Sequence, residues 1–532
     1  LDLTAEKTLL VASVAPATNA EALEAAREAQ ALPPDAAVEL RLDSLREAPA
    51  FAALRAAFVG RILVATLRSK SEGGEFGGRR EEEKSCLEGA LAAGFDLVDV
   101  EFRRAEEARG SGERRAAAFP LSIPLSQQIL SLHDPAGIPS DLGGVLSRML
   151  SSGARYVKLV ATPNDVPDVL RLLELQAAHR DGRTAVFGMG EAGLATRALA
   201  PYLGAALAFG ALVPGRATAP AQVSARDLVD VYGIGRPRPV ARLFALLGDR
   251  VSHSLSPALH GANFEALATQ ALYVPFALRS LGRELPALVA GLDALGLPLV
   301  AASVTIPFKE EAAHLAESEE TALNTLVRVS GPGAAPRWKG SNTDREAFEA
   351  VIPDAAPGER GGAGRNALVL GAGGTARIAV EVLRRRGWEV GIVNRGAPRG
   401  EALAKATGAL YLSKKSPAAL PSPRVVVNAT PLGLRPEDAF PCDQELLRVG
   451  VLVVDAPYRA GGTDLVRAAR AAGCRVVDGQ TLLLLQAAGQ ASRFTGRETT
   501  PQDLLARLAP RLRAHFSPLE ESLPALSPET AR

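Results

Sequence analysis

Residues 1–230 repeat one unit every roughly 25–30 residues, and this repeat constrains the fold more than any other feature. Each unit has a short apolar run, a polar loop and an Ala/Leu/Arg-rich stretch with helical character. The apolar runs read as strands: LLVASV, AVELRL, ILVATL, FDLVDVE, QILSLH, RYVKLV, TAVFGM and AALAFG. Some alternate apolar with polar residues. Others are continuous apolar runs, as strands buried on both faces are. Eight successive βα units predict a (β/α)8 barrel.

A Pro/Gly/Arg segment, YGIGRPRPV (232–240), breaks the repeat and reads as a linker. A second βα series starts at LFALLGD. The Gly-rich run PGERGGAGRN (357–366) marks a further boundary, after which ALVLGAGGTARIAVEVL reads as strand, glycine turn and helix. The Pro/Ser/Glu-rich end, residues 516–532, is expected to be disordered.

Composition narrows the function. At 532 residues the chain has room for two or three domains. Hydrophobic residues are 47% and charged residues 22%, the balance of a soluble globular protein. A net charge of +1 gives no electrostatic reason to bind nucleic acid or an anionic membrane. Aromatics, at 5%, are too few for base-stacking platforms. Cys86, Cys442 and Cys474 are scattered, with no CxxC or Cys/His cluster, so neither a zinc site nor a disulfide framework is expected. No signal peptide or bilayer-length apolar run is seen, and a reducing cytoplasm fits. Leu1 stands where a translated chain has Met, so a trimmed or fragmentary start is expected.

Nine lysines stand against fifty-one arginines. Arg therefore serves wherever a generic cation is wanted, and a Lys at a buried position points to amine chemistry. A desolvated Lys can lose its proton and attack a carbonyl; Arg cannot. Lys158 lies mid-strand in RYVKLV, and Lys309 closes VTIPFK after an apolar strand. They fall in differently patterned halves, so two active sites are expected.

Catalytic groups of a (β/α)8 barrel project from the carboxyl ends of its strands. The polar residues found there are Glu39, Arg41, Arg68, Glu72, Glu101, His133, Lys158, Arg197, Thr218 and Gln222. A neutral Lys158 can condense with a ketone to give an iminium, which acidifies the adjacent carbon. His133, on the neighbouring strand, is placed to take that proton and return it to a leaving hydroxyl. Activation needs an amine pKa lowered to ~7–8 by burial and by cationic neighbours such as Arg68. The other arginines suit a substrate carboxylate.

ELRLD, TLRSKSEGG, LVDVE, SLHD, YVKLV, GMGEAGLATR and ATAPAQ, in this order over residues 5–230, resemble the type I 3-dehydroquinate dehydratases. The resemblance implies that Lys158 forms the Schiff base and His133 is the general acid/base, with Glu72 as a further catalytic residue and Glu101 nearby. It assigns Glu39, Arg41, Arg68, Arg197, Thr218 and Gln222 to the substrate. Two departures stand in the closing loop: Thr218 where Ser is usual, and Ala221 where Gly is usual. If that position needs φ > 0, Ala221 hinders closure. A class I aldolase-like barrel is the alternative, but Arg197, Thr218 and Gln222 stand where a sugar-phosphate aldolase carries a Gly-rich phosphate site.

In the second half, LVLGAGGTA follows a strand and opens a helix. Gly371, Gly373 and Ala376 occupy the three fingerprint positions of a dinucleotide site, with Gly374 extra. The next strand ends in Asn394 and Arg395, with Arg399 close behind, where an NAD enzyme carries an acid. A guanidinium pairs with a 2′-phosphate, so NADPH is expected over NADH. Ahead of this lie Ser254 and Ser256, whose hydroxyls can hold a carboxylate or cap a helix. Thr305, Lys309, Asn324 and Asp344 follow. A Lys–Asp pair beside a ketone suits proton donation to the alkoxide left by hydride attack.

HSLSP, VTIPFK, NTL, NTD, GAGGTAR, NRG, NATPLG and DGQTLLLLQA, over residues 241–512, resemble the shikimate dehydrogenases. The resemblance implies that Lys309 and Asp344 are catalytic and that Ser254, Ser256, Thr305, Asn324, Tyr458 and Gln486 bind substrate. It places Gly371, Gly373, Gly374, Thr375, Ala376, Asn394, Arg395, Arg399, Asn428, Ala429, Thr430 and Gly479 at NADP(H). Departures are Arg345 for Gly, Ser303 for Asn, Leu482 for Met, and no proline after Tyr458.

The expected fold is thus α/β: a dehydratase-like barrel over 1–231, a shikimate-binding domain over 241–357 completed by helices in 483–512, and an NADP-binding Rossmann-like domain over 361–482. The expected function is bifunctional: dehydration of 3-dehydroquinate, then NADPH-dependent reduction of 3-dehydroshikimate to shikimate. The partners are these small molecules, with no nucleic acid, membrane or metal. Two rivals are an NAD-dependent oxidation of quinate and a catalytically dead metabolite sensor. Arg395 argues against the first. The presence of Lys158, His133, Lys309 and Asp344 argues against the second. Among the histidines, His253, His260, His179, His314 and His515 show no ligand spacing, and His260 reads as structural.

Overall fold

The computed structural model describes residues 7–104, 123–213, 215–236, 239–355, 365–412, 420, 422–459, 461–514 and 516. Two compact units are present. The first comprises Leu1–Pro257, Ala268–Val300 and Pro332–Ala335; the second comprises Ala258–Leu267, Ala301–Gly331 and Pro336–Arg532.

All eight expected barrel strands form: β1 (Leu9–Val14), β2 (Ala37–Arg41), β3 (Leu63–Thr66), β4 (Leu97–Glu101), β5 (Gln128–Asp134), β6 (Tyr156–Ala161), β7 (Thr184–Gly188) and β8 (Leu207–Ala211). They pair in parallel in the order β7-β6-β5-β4-β3-β2-β1-β8. At the seam, Ala206 N–H donates to the Thr184 carbonyl at 2.8 Å, which nearly closes the barrel. The described crossover helices are α1 (Asn19–Ala29), α2 (Phe51–Ala57), α3 (Arg80–Ala92), α4 (Leu142–Leu150), α5 (Val166–Ala178), α6 (Gly190–Leu199) and α7 (Ala225–Asp230). Residues 105–122, between β4 and β5, lie outside the described residues. Thr18, Asp141, Asp165 and Ser224 start four of these helices by accepting a backbone N–H from the first turn.

Strand side chains alternate faces, so residues two apart share one. An apolar cluster takes Val11, Ala37, Val64, Leu97, Ile129, Val160, Ala185 and Leu207, one from every strand. Two residues further along five of these strands come Ser13, Glu39, Thr66, Asp99 and Ser131, all buried. A polar layer thus lies on an apolar plug, towards the carboxyl ends of the strands.

Part of the expected linker belongs to the barrel wall. Tyr232 and Ile234 are buried, and the Tyr232 carbonyl accepts the Tyr202 hydroxyl at 2.6 Å. Residues 237–238 lie outside the described residues, as do most of PGERGGAGRN and residues 517–532. Phe516, expected in the disordered end, is buried.

Past the barrel come β9 (Arg242–Gly248), α8 (Ser256–Ala266), β10 (Ala271–Ala277) and α9 (Leu281–Ala294). In the first unit β9 and β10 pair in parallel, α6 packs along β10, and α5 packs along α9. A Cβ on Gly291 of α9 would stand 2.5 Å from Leu170 of α5.

The second unit continues with β11 (Leu299–Val304), α10 (Lys309–Ala313), β12 (Ala316–Glu317), β13 (Thr325–Arg328), β14 (Trp338–Ser341) and α11 (Thr343–Val351). β11, β13 and β14 pair antiparallel. There follow β15 (Asn366–Leu370), α12 (Gly374–Arg385), β16 (Glu389–Val393), α13 (Ala397–Thr407), β17 (Leu410–Tyr411), β18 (Val425–Asn428), β19 (Leu452–Asp455), α14 (Asp464–Ala471), β20 (Arg475–Val477) and α15 (Gly479–Thr495). β15 to β20 form a parallel sheet in the order β17-β16-β15-β18-β19-β20. Counting from β15, this is the 3-2-1-4-5-6 order of a doubly wound nucleotide-binding sheet. Its crevice is expected at the carboxyl ends of β15 and β18, where the order reverses. α15 returns to pack on α11. His260 lies against Phe264 and Phe494 with tilted rings, and burial pushes its imidazole down to about 4.

The glycines of GMGEAG set the approach of α6 to β7. A Cβ on Gly193 would lie 2.5 Å from the Gly188 carbonyl carbon, which is backbone and cannot step aside. Gly193→Ala is expected to lower stability by about 1–3 kcal/mol through overpacking, read as a lower midpoint in thermal unfolding. An unchanged midpoint would mean that α6 has slack to move.

Candidate active sites

The nine barrel residues assigned to catalysis or substrate come together. Glu39, Arg41, Arg68, Glu72, His133, Lys158, Arg197, Thr218 and Gln222 all line one cavity of about 380 Å³, with Ser13, Phe187 and Phe209. Lys158 is 2% exposed. Its Nζ lies 2.6 Å from Asp99 Oδ2, 3.9 Å from Glu39 Oε1 and 4.3 Å from the centre of the Phe209 ring. Glu39 is held by the hydroxyls of Ser13 at 2.5 Å and Thr66 at 2.7 Å.

Sequence reasoning missed Asp99. It is fully buried, and despite desolvation, Arg68 and Lys158 hold its carboxyl down at about 2. The signal was available: in LVDVE, Asp99 shares a strand face with Leu97 and Glu101, and only the strand-end Glu101 was singled out. Glu101 does not line the cavity; it accepts from Arg68 Nη1 at 3.1 Å and from Ser69 N–H at 2.8 Å. Arg68 donates besides to Asp99 at 2.8 Å, Ser131 at 2.9 Å and Glu72 at 3.3 Å. Its guanidinium borders the cavity while its donors serve the protein's own carboxylates.

Glu72 and His133 act as a pair. Glu72 Oε2 accepts the His133 backbone N–H at 2.8 Å and lies 3.2 Å from Nδ1. Burial pushes the Glu72 carboxyl up to about 7 against the pull of Arg68. Burial, then the surrounding Arg68, Lys158, Arg41 and Arg197 cations, holds the His133 imidazole well below its usual range. His133 is therefore neutral near pH 7 and competent as a base. An ionised Glu72 favours the tautomer with its proton on Nδ1, leaving Nε2 as the acceptor.

Arg197 is 6% exposed and lies over the Phe187 ring at 5.0 Å. Its Nη1 reaches the Phe209 carbonyl only at 3.5 Å, its Nε is buried without a partner, and no carboxylate pairs with it among the described residues. Arg41 is different, forked onto Asp43 at 2.9 and 2.8 Å. The loop after β8 covers the cavity: Gln222 Oε1 accepts both the N–H and the hydroxyl of Thr218, at 2.7 and 3.0 Å. Between them Ala221 stands at φ 51°, in the left-handed region.

In the second unit, Lys309 Nζ donates to Asp344 Oδ2 and, at 3.1 Å, to the Thr375 hydroxyl. Asn324 Nδ2 lies 3.0 Å from Asp344 Oδ1 and 3.1 Å from Gln486 Oε1. A cavity of about 250 Å³ adjoins Lys309, lined by Gly371, Gly373, Gly374, Thr375, Asn394, Arg395, Arg399, Ala429 and Thr430. Thr305, which precedes the lining residue Ile306 in sequence, is half-buried and does not line it.

The glycines fit a dinucleotide. Gly371 has φ 109°, and a Cβ there would meet the Ala429 carbonyl oxygen at 2.8 Å. Gly373 faces open space in the cavity wall, as close phosphate approach requires. A Cβ on Gly374 would crowd Lys309 Cβ at 3.0 Å. Arg395 is exposed and has no ion-pair partner among the described residues, whereas Arg399 pairs with Glu310 at 3.2 Å.

Three positions assigned to the cofactor do not border this cavity. Asn428 is buried behind it, with Nδ2 on the Leu432 carbonyl and Asp455 and Oδ1 on Thr430. It sets the turn that presents Thr430. Ala376 is fully buried on the core face of α12. Gly479 makes room for the Ala456 and Pro457 carbonyls, 2.4 Å from a Cβ placed there. Tyr458 is half-buried and lines neither of these cavities. In the first unit, Ser256 is buried and its N–H donates to Ser254 Oγ at 3.2 Å, so Ser254 also serves the start of α8.

Residues 10–236 match the family model of type I 3-dehydroquinase, and residues 246–325 match that of the shikimate dehydrogenase substrate binding domain. A shikimate dehydrogenase (NADP(+)) of Rubrobacter xylanophilus is 40% identical over 269 residues, 48% of this chain and 90% of that protein. The shikimate 5-dehydrogenase of Thermus thermophilus, solved in complex with NADP(H) and shikimate, is 32% identical over 51% of this chain and 99% of that chain, with TM-score 0.43. The chloroplastic bifunctional 3-dehydroquinate dehydratase/shikimate dehydrogenase of Arabidopsis thaliana is 30% identical over 483 residues, 86% of this chain and 77% of that protein. That likeness covers far more than either half, and the chain belongs to the family of bifunctional 3-dehydroquinate dehydratase/shikimate dehydrogenases.

Proposed function

We propose that the barrel dehydrates 3-dehydroquinate to 3-dehydroshikimate and that the second module reduces this ketone to shikimate with NADPH. The observation that carries the reading is the barrel cavity. It holds a lysine amine out of water, a neutral imidazole lining the same cavity, and the buried Arg197, which pairs with no carboxylate among the described residues, as a carboxylated hydroxy-ketone requires.

In this reading Lys158 Nζ adds to the substrate ketone and water leaves, giving a protonated imine. The imine draws electrons from the adjacent carbon, and His133 Nε2 removes its proton. The same imidazolium protonates the departing hydroxyl, so one water is lost overall. Hydrolysis of the imine restores the Lys158 amine. Asp99 orients that amine, Glu72 fixes the tautomer of His133, and Arg197 binds the carboxylate. Glu39, Arg41, Arg68, Thr218 and Gln222 complete the binding surface.

For the reductase, Gly371, Gly373, Gly374, Thr375, Asn394, Arg395, Arg399, Ala429 and Thr430 hold NADP(H), which supplies the hydride when bound. Lys309, oriented by Asp344, provides the proton to the ketone oxygen. Ser254, Ser256, Thr305, Asn324, Tyr458 and Gln486 are assigned to the substrate. The division proposed is 1–231 for the dehydratase, 241–357 with helices in 483–512 for shikimate binding, and 361–482 for NADP. Three free cysteines among the described residues suit a reducing compartment such as the cytoplasm.

Purified chain given 3-dehydroquinate and NADPH, with no other enzyme, is expected to consume NADPH steadily. Borohydride added with 3-dehydroquinate should fix a mass adduct on Lys158, absent in Lys158→Met. NADPH consumption only on added 3-dehydroshikimate would refute the barrel assignment. The pH profile tests the Glu72–His133 pair. Glu72 must be ionised to hold Nδ1–H, and its carboxyl is pushed up to about 7, so dehydratase kcat/KM should rise with pH through that value. Glu72→Gln keeps an acceptor without the ionisation and should flatten the rise; an unchanged inflection would assign it to another group. Arg395→Ala should raise KM for NADPH about tenfold, the loss of one charge-assisted hydrogen bond, and leave KM for NADH within about twofold. Equal effects on both cofactors would remove Arg395 from the 2′-phosphate.

A further inference from the structure

The loop that carries Ser254 and Ser256 is anchored by a side chain of the barrel. Glu191 lies in the first turn of α6, directly after Gly190, which borders the dehydratase cavity. Its Oε1 accepts two consecutive backbone N–H groups, Val251 at 2.5 Å and Ser252 at 2.7 Å. All of these residues belong to the first unit. Successive N–H groups turned to one side make a concavity that seeks an anion, and here the anion comes from sixty residues earlier in the chain. Val251 is buried, and its carbonyl accepts the Ser254 N–H at 3.2 Å. Ser254 Oγ in turn accepts from Ser256 N–H. One set of hydrogen bonds therefore runs from Glu191 through Val251 to Ser254, and from the Ser254 hydroxyl to the Ser256 backbone N–H.

We infer that Glu191 is a positioning residue for the reductase, holding the Ser254–Ser256 loop in the conformation that receives the substrate carboxylate. The inference rests on the reading of those two serines given above. It makes the second reaction depend on a residue of the first reaction's domain. Glu191 touches neither substrate. On the barrel side, the lid contact at this point is a backbone one, Gly190 N–H to the Pro220 carbonyl at 3.2 Å, which a change at the Glu191 side chain leaves intact.

The test uses full-length Glu191→Ala and Glu191→Gln, with both activities assayed on each sample. Glu191→Ala is expected to raise KM for 3-dehydroshikimate about tenfold, and to leave reductase kcat, KM for NADPH and dehydratase kcat/KM within about twofold. Glu191→Gln keeps an acceptor oxygen and should recover most of the loss in KM. An unchanged KM for 3-dehydroshikimate in Glu191→Ala would overturn the inference. So would a parallel loss of both activities, which would make Glu191 a folding residue. If the unsubstituted chain reduced no 3-dehydroshikimate, the functional reading would fail first and the inference with it.

Discussion

Both halves of this chain depend on the same interaction, a lysine ammonium withdrawn from water and held by an aspartate. Lys158 is bound to Asp99 and Lys309 to Asp344. An ion taken out of water costs several kcal/mol unless an anion and further hydrogen bonds replace its hydration. In the barrel that requirement propagates. Asp99 is shared with Arg68, Arg68 is shared with Glu101 and Glu72, and Glu72 supports His133. The route from Lys158 to His133 is therefore also the route by which buried charge is neutralised. In the second unit the chain of partners is shorter: Asp344 is steadied by Asn324, and Asn324 by Gln486.

The departures from family pattern differ in cost. Arg345, where Gly is usual, bridges Glu320 at 3.2 Å and Glu381 of α12 at 2.8 Å, so it adds contacts beside Asp344. Ser303 donates to Gln490 Oε1 at 2.8 Å, and Gln490 Nε2 donates to the Asn324 carbonyl at 3.0 Å, so the neighbouring strand is still tied to α15. Leu482 is buried in the apolar core around the parallel sheet. Ala221 is the unfavourable one. A left-handed L-residue costs roughly 1–2 kcal/mol, and this one sits between the Pro220 and Gln222 walls of the dehydratase cavity. The strain falls in the loop that covers the cavity.

Much of the barrel site was legible because a parallel barrel brings strand ends together whatever the sequence distance. Nine residues spread from Glu39 to Gln222 could be gathered from strand positions and motifs alone. What escaped was direction. Asp99 was passed over because it lies mid-strand, although its parity points it at Lys158. Asn428 and Ala376 stand at motif positions but face the core, because the turn and the helix–sheet contact they support must be built before a cofactor can approach. Glu191 gave no signal, since an acidic residue in the first turn of a helix is ordinary.

The sequence by itself determined the two architectures, through the spacing of apolar runs and the glycine turn after β15, and it singled out the two lysines by their rarity and their setting. Tertiary structure alone decided which carboxylate each lysine would meet and which polar groups would face a cavity. The partners are far apart in the chain: 59 residues between Lys158 and Asp99, 61 between His133 and Glu72, 162 between Asn324 and Gln486. Local pattern sets the period of a strand or helix, but only packing sets the register that brings distant side chains within hydrogen-bonding reach.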